Sequence, residues 1–253
     1  VSVVLTGIDG SGKSTVAARL RERDGVAVVH AIRAHEDPLS PYAALSRHLA
    51  AASAVADRLG RAPLKIATLY LQLCLYPPQE QAARAGARTV VADRHPLVDP
   101  MVYLPLYARM RDTADPGTDA AQWWAGQPEE TATTVRTWLT ECTGGDDVWA
   151  LGLRLLDLAA LALPQLLAEL TRLFPVPAPQ RVVLLDLPVE EALVRIKGRT
   201  PAAELHESAG ALTAIATAYD RVLTWLATSV PVVRIDCAAR TRDDVTDEVA
   251  RAL

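Results

Sequence analysis

The 253-residue chain has no asparagine, one phenylalanine, three cysteines, and three lysines against 23 arginines. Cys74, Cys142 and Cys237 are far apart and odd in number, and no C-x-x-C occurs. That spacing argues against a disulfide framework or a zinc site and fits a reducing compartment. The net charge of −4 supplies no broad positive field, which argues against a nucleic-acid polymer as the main partner. A membrane span is also missing. The longest apolar region, Val148 to Phe174, carries Arg154, Asp157, Glu169 and Arg172 and contains Pro164, so it reads as buried helix. The N-terminus opens directly in a strand, with no basic–apolar–small leader pattern, and a cytoplasmic protein is expected. The arginine excess reads as codon bias, and it makes the lysines informative. Only Lys13, Lys65 and Lys197 remain, and a lysine kept where arginine is the default suggests that a compact ammonium is needed.

What is present is a half-hydrophobic composition, enough for a real core in one large domain with an insertion. The chain is organised around Gly7-Ile8-Asp9-Gly10-Ser11-Gly12-Lys13-Ser14-Thr15, which fits G-x-x-x-x-G-K-[ST] without a mismatch. An apolar run, Val3-Val4-Leu5, precedes it and a helix-compatible run, Val16 to Leu20, follows. Glycines let successive backbone N–H groups point inward as a nest for anionic oxygens, and the helix adds its positive dipole end. In this setting Lys13 reaches the β/γ-phosphates of a bound nucleotide and the Ser14 hydroxyl ligates Mg²⁺.

Short apolar strands are expected at residues 1–5, 26–32, 88–92, 182–186 and 230–235, alternating with helical stretches. The alternation predicts an α/β fold: a three-layer, five-stranded parallel sheet flanked by helices, with right-handed crossovers. A single domain over 1–253 is expected, with a helical insertion at 112–180 and a lid at 195–207. Residues 146–173 are expected to form one long helix kinked at Pro164, with Pro77-Pro78 interrupting an earlier one. Segment 118–145 is hard to read, and its Trp123, Trp124 and Trp138 suit either core or pocket wall. Ligands of such folds gather at the C-terminal strand ends, so the residues following each strand should converge on one rim.

On that rim, Asp93 ends a buried strand, where a carboxylate is costly unless paired or bound to a cation. It is the candidate partner of Ser14 on the metal. Arg94 offers a planar fork for phosphate or carboxylate. Glu36 and Asp37 follow the second strand, and either carboxylate could orient an acceptor hydroxyl and take its proton, with Glu36 preferred. Asp9 could touch an acceptor or a metal-bound water, or simply stabilise the turn. Arg195, Lys197 and Arg199 close a helix. They suit its dipole, and a flap supplying an arginine would also meet the charge of a transferring phosphoryl group. Gln72 carries the paired donor and acceptor that can read a base edge.

These motifs resemble the thymidylate kinases. Their phosphate loop is similar to Gly7–Thr15 and their Asp-Arg signature to Asp93-Arg94. Their fourth strand and lid resemble Leu185-Asp186-Leu187-Pro188-Val189-Glu190-Glu191-Ala192-Leu193 with Arg195 and Arg199. Tyr219 and the Ile235-Asp236 strand end also match. The likeness covers roughly 1–36, 63–110 and 181–253. Asp93-Arg94-His95-Pro96 is similar to the Asp-Arg-His-Pro of herpesvirus thymidine kinases, and Gln72 falls where those enzymes place a glutamine on the base. The chain departs from the thymidylate-kinase pattern at Leu69–Cys74, at His95 and at Arg33–Pro38. The resemblance implies a kinase using ATP and Mg²⁺, with Gly7, Asp9, Gly10, Ser11, Gly12, Lys13, Ser14, Thr15 and Asp236 around the nucleotide. It leaves the acceptor open between a nucleoside, a modified nucleoside and a monophosphate, and it implies a homodimer through helices. A guanine-nucleotide switch would need Asn-Lys-x-Asp, which a chain without asparagine cannot supply. An ATPase motor and a non-catalytic nucleotide-binding subunit remain as rivals.

Overall fold

The computed structural model describes residues 1–111, 116–198 and 208–253. Five strands, β1 (Ser2–Thr6), β2 (Val26–His30), β3 (Thr89–Asp93), β4 (Arg181–Asp186) and β5 (Val232–Asp236), form one sheet in the order β2-β3-β1-β4-β5. All run parallel, as the alternation predicts. Every residue of β1 is buried, because helices cover both faces of the strand at the sheet's centre. Leu5 lies beside Asp93 in the β1–β3 register, and Asp186 lies beside Asp236 in β4–β5. The strand ends therefore line up.

The helices, in chain order, are α1 (Lys13–Leu20), α2 (Ala43–Leu59), α3 (Ala62–Leu73), α4 (Tyr76–Gly86), α5 (Asp99–Arg109), α6 (Pro116–Ala125), α7 (Glu129–Thr143), α8 (Val148–Asp157), α9 (Leu163–Leu173), α10 (Val189–Lys197), α11 (Ala209–Leu226) and α12 (Arg242–Arg251). Ser208 and Thr241 cap α11 and α12, each side chain accepting a backbone N–H three residues on. Among the described residues, no helix is long and apolar enough to cross a membrane.

Two expectations about proline are corrected. The stretch 146–173 is not one kinked helix: α8 ends at Asp157, a 3-10 turn covers Leu158–Ala160, and α9 begins at Leu163. Pro164 stands in the first turn of α9, where its missing N–H would have had no partner, so it starts a helix. Pro77 and Pro78 likewise lie in the first turn of α4. The unreadable 118–145 resolves into α6 and α7.

The chain gathers into two units, one of Val1–Val29, Pro78–Val102 and Val176–Leu253, the other of His30–Pro77 and Tyr103–Pro175. The first carries the sheet. The second is helical and is built around α3, of which every residue but Leu69 is buried. Gly152 of α8 lets that helix press on the backbone of Pro63 at the start of α3. Trp123 is fully buried and donates its indole N–H to the Ala52 carbonyl at 2.9 Å, which makes it core. Lys65 is buried too, bonded to Asp57 at 2.6 Å and Ser53 at 3.0 Å. Here a compact ammonium serves the interior of a helical unit.

Candidate functional site

In the first unit, β1 runs straight into the glycine-rich loop. Gly10 has φ 87°, and a Cβ there would stand 2.8 Å from the Ala192 carbonyl oxygen, so conformation and space both demand glycine. Gly12, at φ 97°, turns the chain into α1 and caps it without any side-chain bond. The N–H groups of the first turn are thus left open to an external anion. The buried Ser11 hydroxyl has no hydrogen-bond partner among the described residues. An anion-lined ligand would answer both needs. Ser14 is exposed and Thr15 half-buried at the start of α1.

Lys13 is buried and folds back on its own loop, its ammonium donating to the Gly7 carbonyl at 2.8 Å and the Ile8 carbonyl at 2.9 Å. Asp9 Oδ1 stands 3.6 Å from it. Burial pushes the Lys13 pKa down, and Asp9, Asp93 and Asp99 pull it back while Arg94 adds to the fall. Lys13, Asp9, Asp93 and Arg94 therefore share one electrostatic cluster, as the strand-end argument requires.

Asp93 is buried at the end of β3. Arg94 follows it in the left-handed region at φ 68°, with its N–H on the Leu5 carbonyl at 3.2 Å. Its guanidinium reaches Asp9 Oδ1 at 3.0 Å and stands 3.6 Å from Asp99 Oδ1. Asp99 also accepts the His95 N–H at 2.6 Å and the Tyr219 hydroxyl at 3.2 Å, while Thr6 donates to Tyr219 at 2.7 Å. Burial raises the Asp99 pKa, opposed by Arg94, the His95 N–H, Lys13 and Tyr219. No sequence motif includes Thr6 or Asp99. One signal for Asp99 was present: an acid four residues after His95, at a helix start, can reach back to a free N–H.

His95 is fully buried, and its Nδ1 accepts the Leu97 N–H at 3.1 Å. Burial, with Arg84 adding to it, lowers its pKa to about 3 from an unfolded value near 6.5. The folded protein thus binds that proton less well than the unfolded chain. The contribution of neutral His95 to stability is complete above about pH 6.5 and is lost as pH falls toward 3, at up to about 1.4 kcal/mol per pH unit. Denaturant titrations at pH 7 and 4.5 should show a steeper loss for wild type than for His95→Asn, whose amide oxygen still accepts the Leu97 N–H.

The other predicted residues are placed as follows. Glu36, in a 3-10 turn of the second unit, pairs with Arg33 at 3.1 Å and stands 3.7 Å from His30 Nδ1. Gln72, also of that unit, is buried on α3, and its Oε1 has no hydrogen-bond partner among the described residues. Arg195 donates to the Cys237 carbonyl at 3.0 Å, next to the end of β5. Asp236 caps the turn after β5 by accepting the Ala238 N–H at 2.8 Å. Arg199 and the remainder of the expected lid to 207 lie outside the described residues.

No family model and no curated protein matches the sequence. Solved structures do match the fold. A deoxyadenosine kinase from M. mycoides with the products dCMP and a flexible dCDP is similar over 100% of this chain and 98% of its own, at TM-score 0.57 and 12% identity. The same kinase with dATP bound gives 0.53 and 12% over 99% and 98%. The thymidylate kinase from Candida albicans gives 0.53 and 15% over 99% of this chain and 89% of its own. This chain folds as those nucleoside and nucleotide kinases do.

Proposed function

We propose that the protein is a kinase that transfers the γ-phosphoryl group of ATP to a nucleoside or nucleoside monophosphate. The observation that carries the reading is the mismatch-free loop Gly7–Thr15 at the end of β1, with Lys13, Asp9, Asp93 and Arg94 in one charged cluster beside it. The open first turn of α1 and the unpartnered Ser11 hydroxyl fit a polyphosphate. An exposed hydroxyl at Ser14 and a carboxylate at Asp93 are hard oxygen donors of the kind Mg²⁺ takes. Bound there, the ion would neutralise charge on the β- and γ-phosphates. Lys13 holds positive charge against the same oxygens, and Arg94 aims a fork at the transferring group. Arg195 and Arg199, on the lid segment, are assigned the closing of the site against water. Asp236 is assigned to the nucleotide side.

On the acceptor side, Glu36 is the base and Gln72 reads the nucleobase through the amide oxygen that has no hydrogen-bond partner among the described residues. Arg94 is already balanced by two carboxylates, which favours a neutral nucleoside over a monophosphate. We assign the helical insertion 112–180 to the same single domain. We take the protein to act in the cytoplasm on small molecules, not on a nucleic-acid polymer or a membrane, and as a homodimer.

A panel of nucleosides and nucleoside monophosphates with labelled ATP tests the reading. Phosphorylated nucleoside is the expected product, and ATP loss at equal rate without any acceptor would make the protein an ATPase. Glu36→Gln should lower turnover by about 100-fold or more while leaving ATP affinity unchanged, as expected for a lost general base. Unaltered turnover would remove Glu36 from that role.

A further inference from the structure

We infer that Asp99 is the positioning residue that holds Arg94 in its working orientation. The inference rests on the kinase reading for its activity readout. Arg94 is a non-glycine residue in the left-handed region, a conformation that persists only where its surroundings over-determine it. Its guanidinium lies between two carboxylates of unlike character. Asp9 belongs to the phosphate loop, and its Oδ1 faces both Arg94 at 3.0 Å and Lys13 at 3.6 Å. Phosphate oxygens arriving on the loop compete for those same two cations, so Asp9 is an exchangeable partner.

Asp99 is not exchangeable. It is buried, and its Oδ2 takes the His95 N–H at 2.6 Å. Oδ1 takes the Tyr219 hydroxyl at 3.2 Å, and Thr6 donates to Tyr219 at 2.7 Å. The Thr6 hydroxyl also stands 3.3 Å from Asp99 Oδ1, and whichever of the two hydroxyls gives its proton to the other, the carboxylate is the final acceptor. One carboxylate thereby fixes the main chain just after Arg94 and faces its guanidinium at 3.6 Å. Thr6 comes from β1, Asp99 from α5 and Tyr219 from α11, so three elements lock the group. Arg94 keeps an anionic neighbour even while Asp9 gives way to a ligand.

A double-mutant cycle with a structural arm tests this. Asp99→Asn keeps the shape and an acceptor for the His95 N–H but removes the charge. Its kcat should fall by about 10- to 100-fold, the scale of a misplaced catalytic group. KM for ATP should stay within about threefold, since ground-state binding is untouched. In the Arg94→Met background the same change should cost nothing further, and losses that multiply would overturn the inference. Crystal structures of wild type and Asp99→Asn with a non-hydrolysable ATP analogue, whose phosphates compete with Asp9, should show the Arg94 guanidinium displaced from its wild-type position in the variant, and an unmoved Arg94 would overturn it whatever the activity. If wild type phosphorylates no acceptor, the kinase reading falls, while the displacement still decides the role of Asp99. Should Asp99→Asn fail to fold, Tyr219→Phe, which removes one anchor of the carboxylate, should give a smaller loss of the same pattern.

Discussion

Lys13→Ala is expected to lower acceptor-dependent turnover by at least about 100-fold while shifting the melting temperature by only a few degrees. The two outcomes separate for a physical reason. In the ligand-free fold the ammonium is a buried cation bonded to carbonyls of its own loop, and burial already disfavours its charge. Deleting it removes a desolvated charge along with two hydrogen bonds, and these oppose each other in stability. In the reaction nothing offsets the loss. Of the described residues nearest Lys13, Asp9, Asp93 and Asp99 are anionic and Arg94 is committed to two of them. Arg94, the cation assigned to the transferring group, cannot also take the place Lys13 holds at the β/γ-phosphate oxygens. Turnover and thermal melting measured on the same preparation check the pair of outcomes. A variant with normal acceptor-dependent ATP consumption would refute the mechanism, and a variant that no longer folds would show Lys13 to be structural.

Gly152→Val should produce the largest stability loss, about 3 kcal/mol or more. A Cβ at this position would stand 2.0 Å from the Pro63 carbonyl oxygen, 2.5 Å from its carbonyl carbon and 2.8 Å from its Cα. All three are backbone atoms, so no rotamer change relieves the clash, and α8 must back away from α3. Because α3 is buried almost all round, that displacement opens gaps on its other faces as well. For a chain of this size the loss corresponds to a fall in melting temperature of about 6–12 °C. Gly86→Ala is the control: nothing lies within 4 Å of a Cβ there, and its melting temperature should stay near wild type. Equal behaviour of the two variants would mean that the α3–α8 contact is looser than its geometry indicates.

Patterns confined to a few neighbouring residues proved sufficient for the frame. Buried parallel strands read as apolar runs because both faces are covered, and all five were found within a residue or two of their ends. Prolines misled, because Pro164 reads alike as a kink within a helix or as the first turn of a new one. The choice between those depends on what the flanking apolar faces pack against.

Local order along the chain was thus enough to specify the phosphate loop, the strand alternation and the acid–arginine pair at a strand end. Each rests on backbone geometry or burial within a handful of residues. The surroundings of Arg94 are of another kind. Thr6 meets Asp99 across 93 positions and Tyr219 across 213, and no spacing in a linear pattern announces such a meeting. It exists because the central strand and two helices crowd one volume, where a carboxylate withdrawn from water must collect its hydrogen bonds from whichever groups the fold brings there.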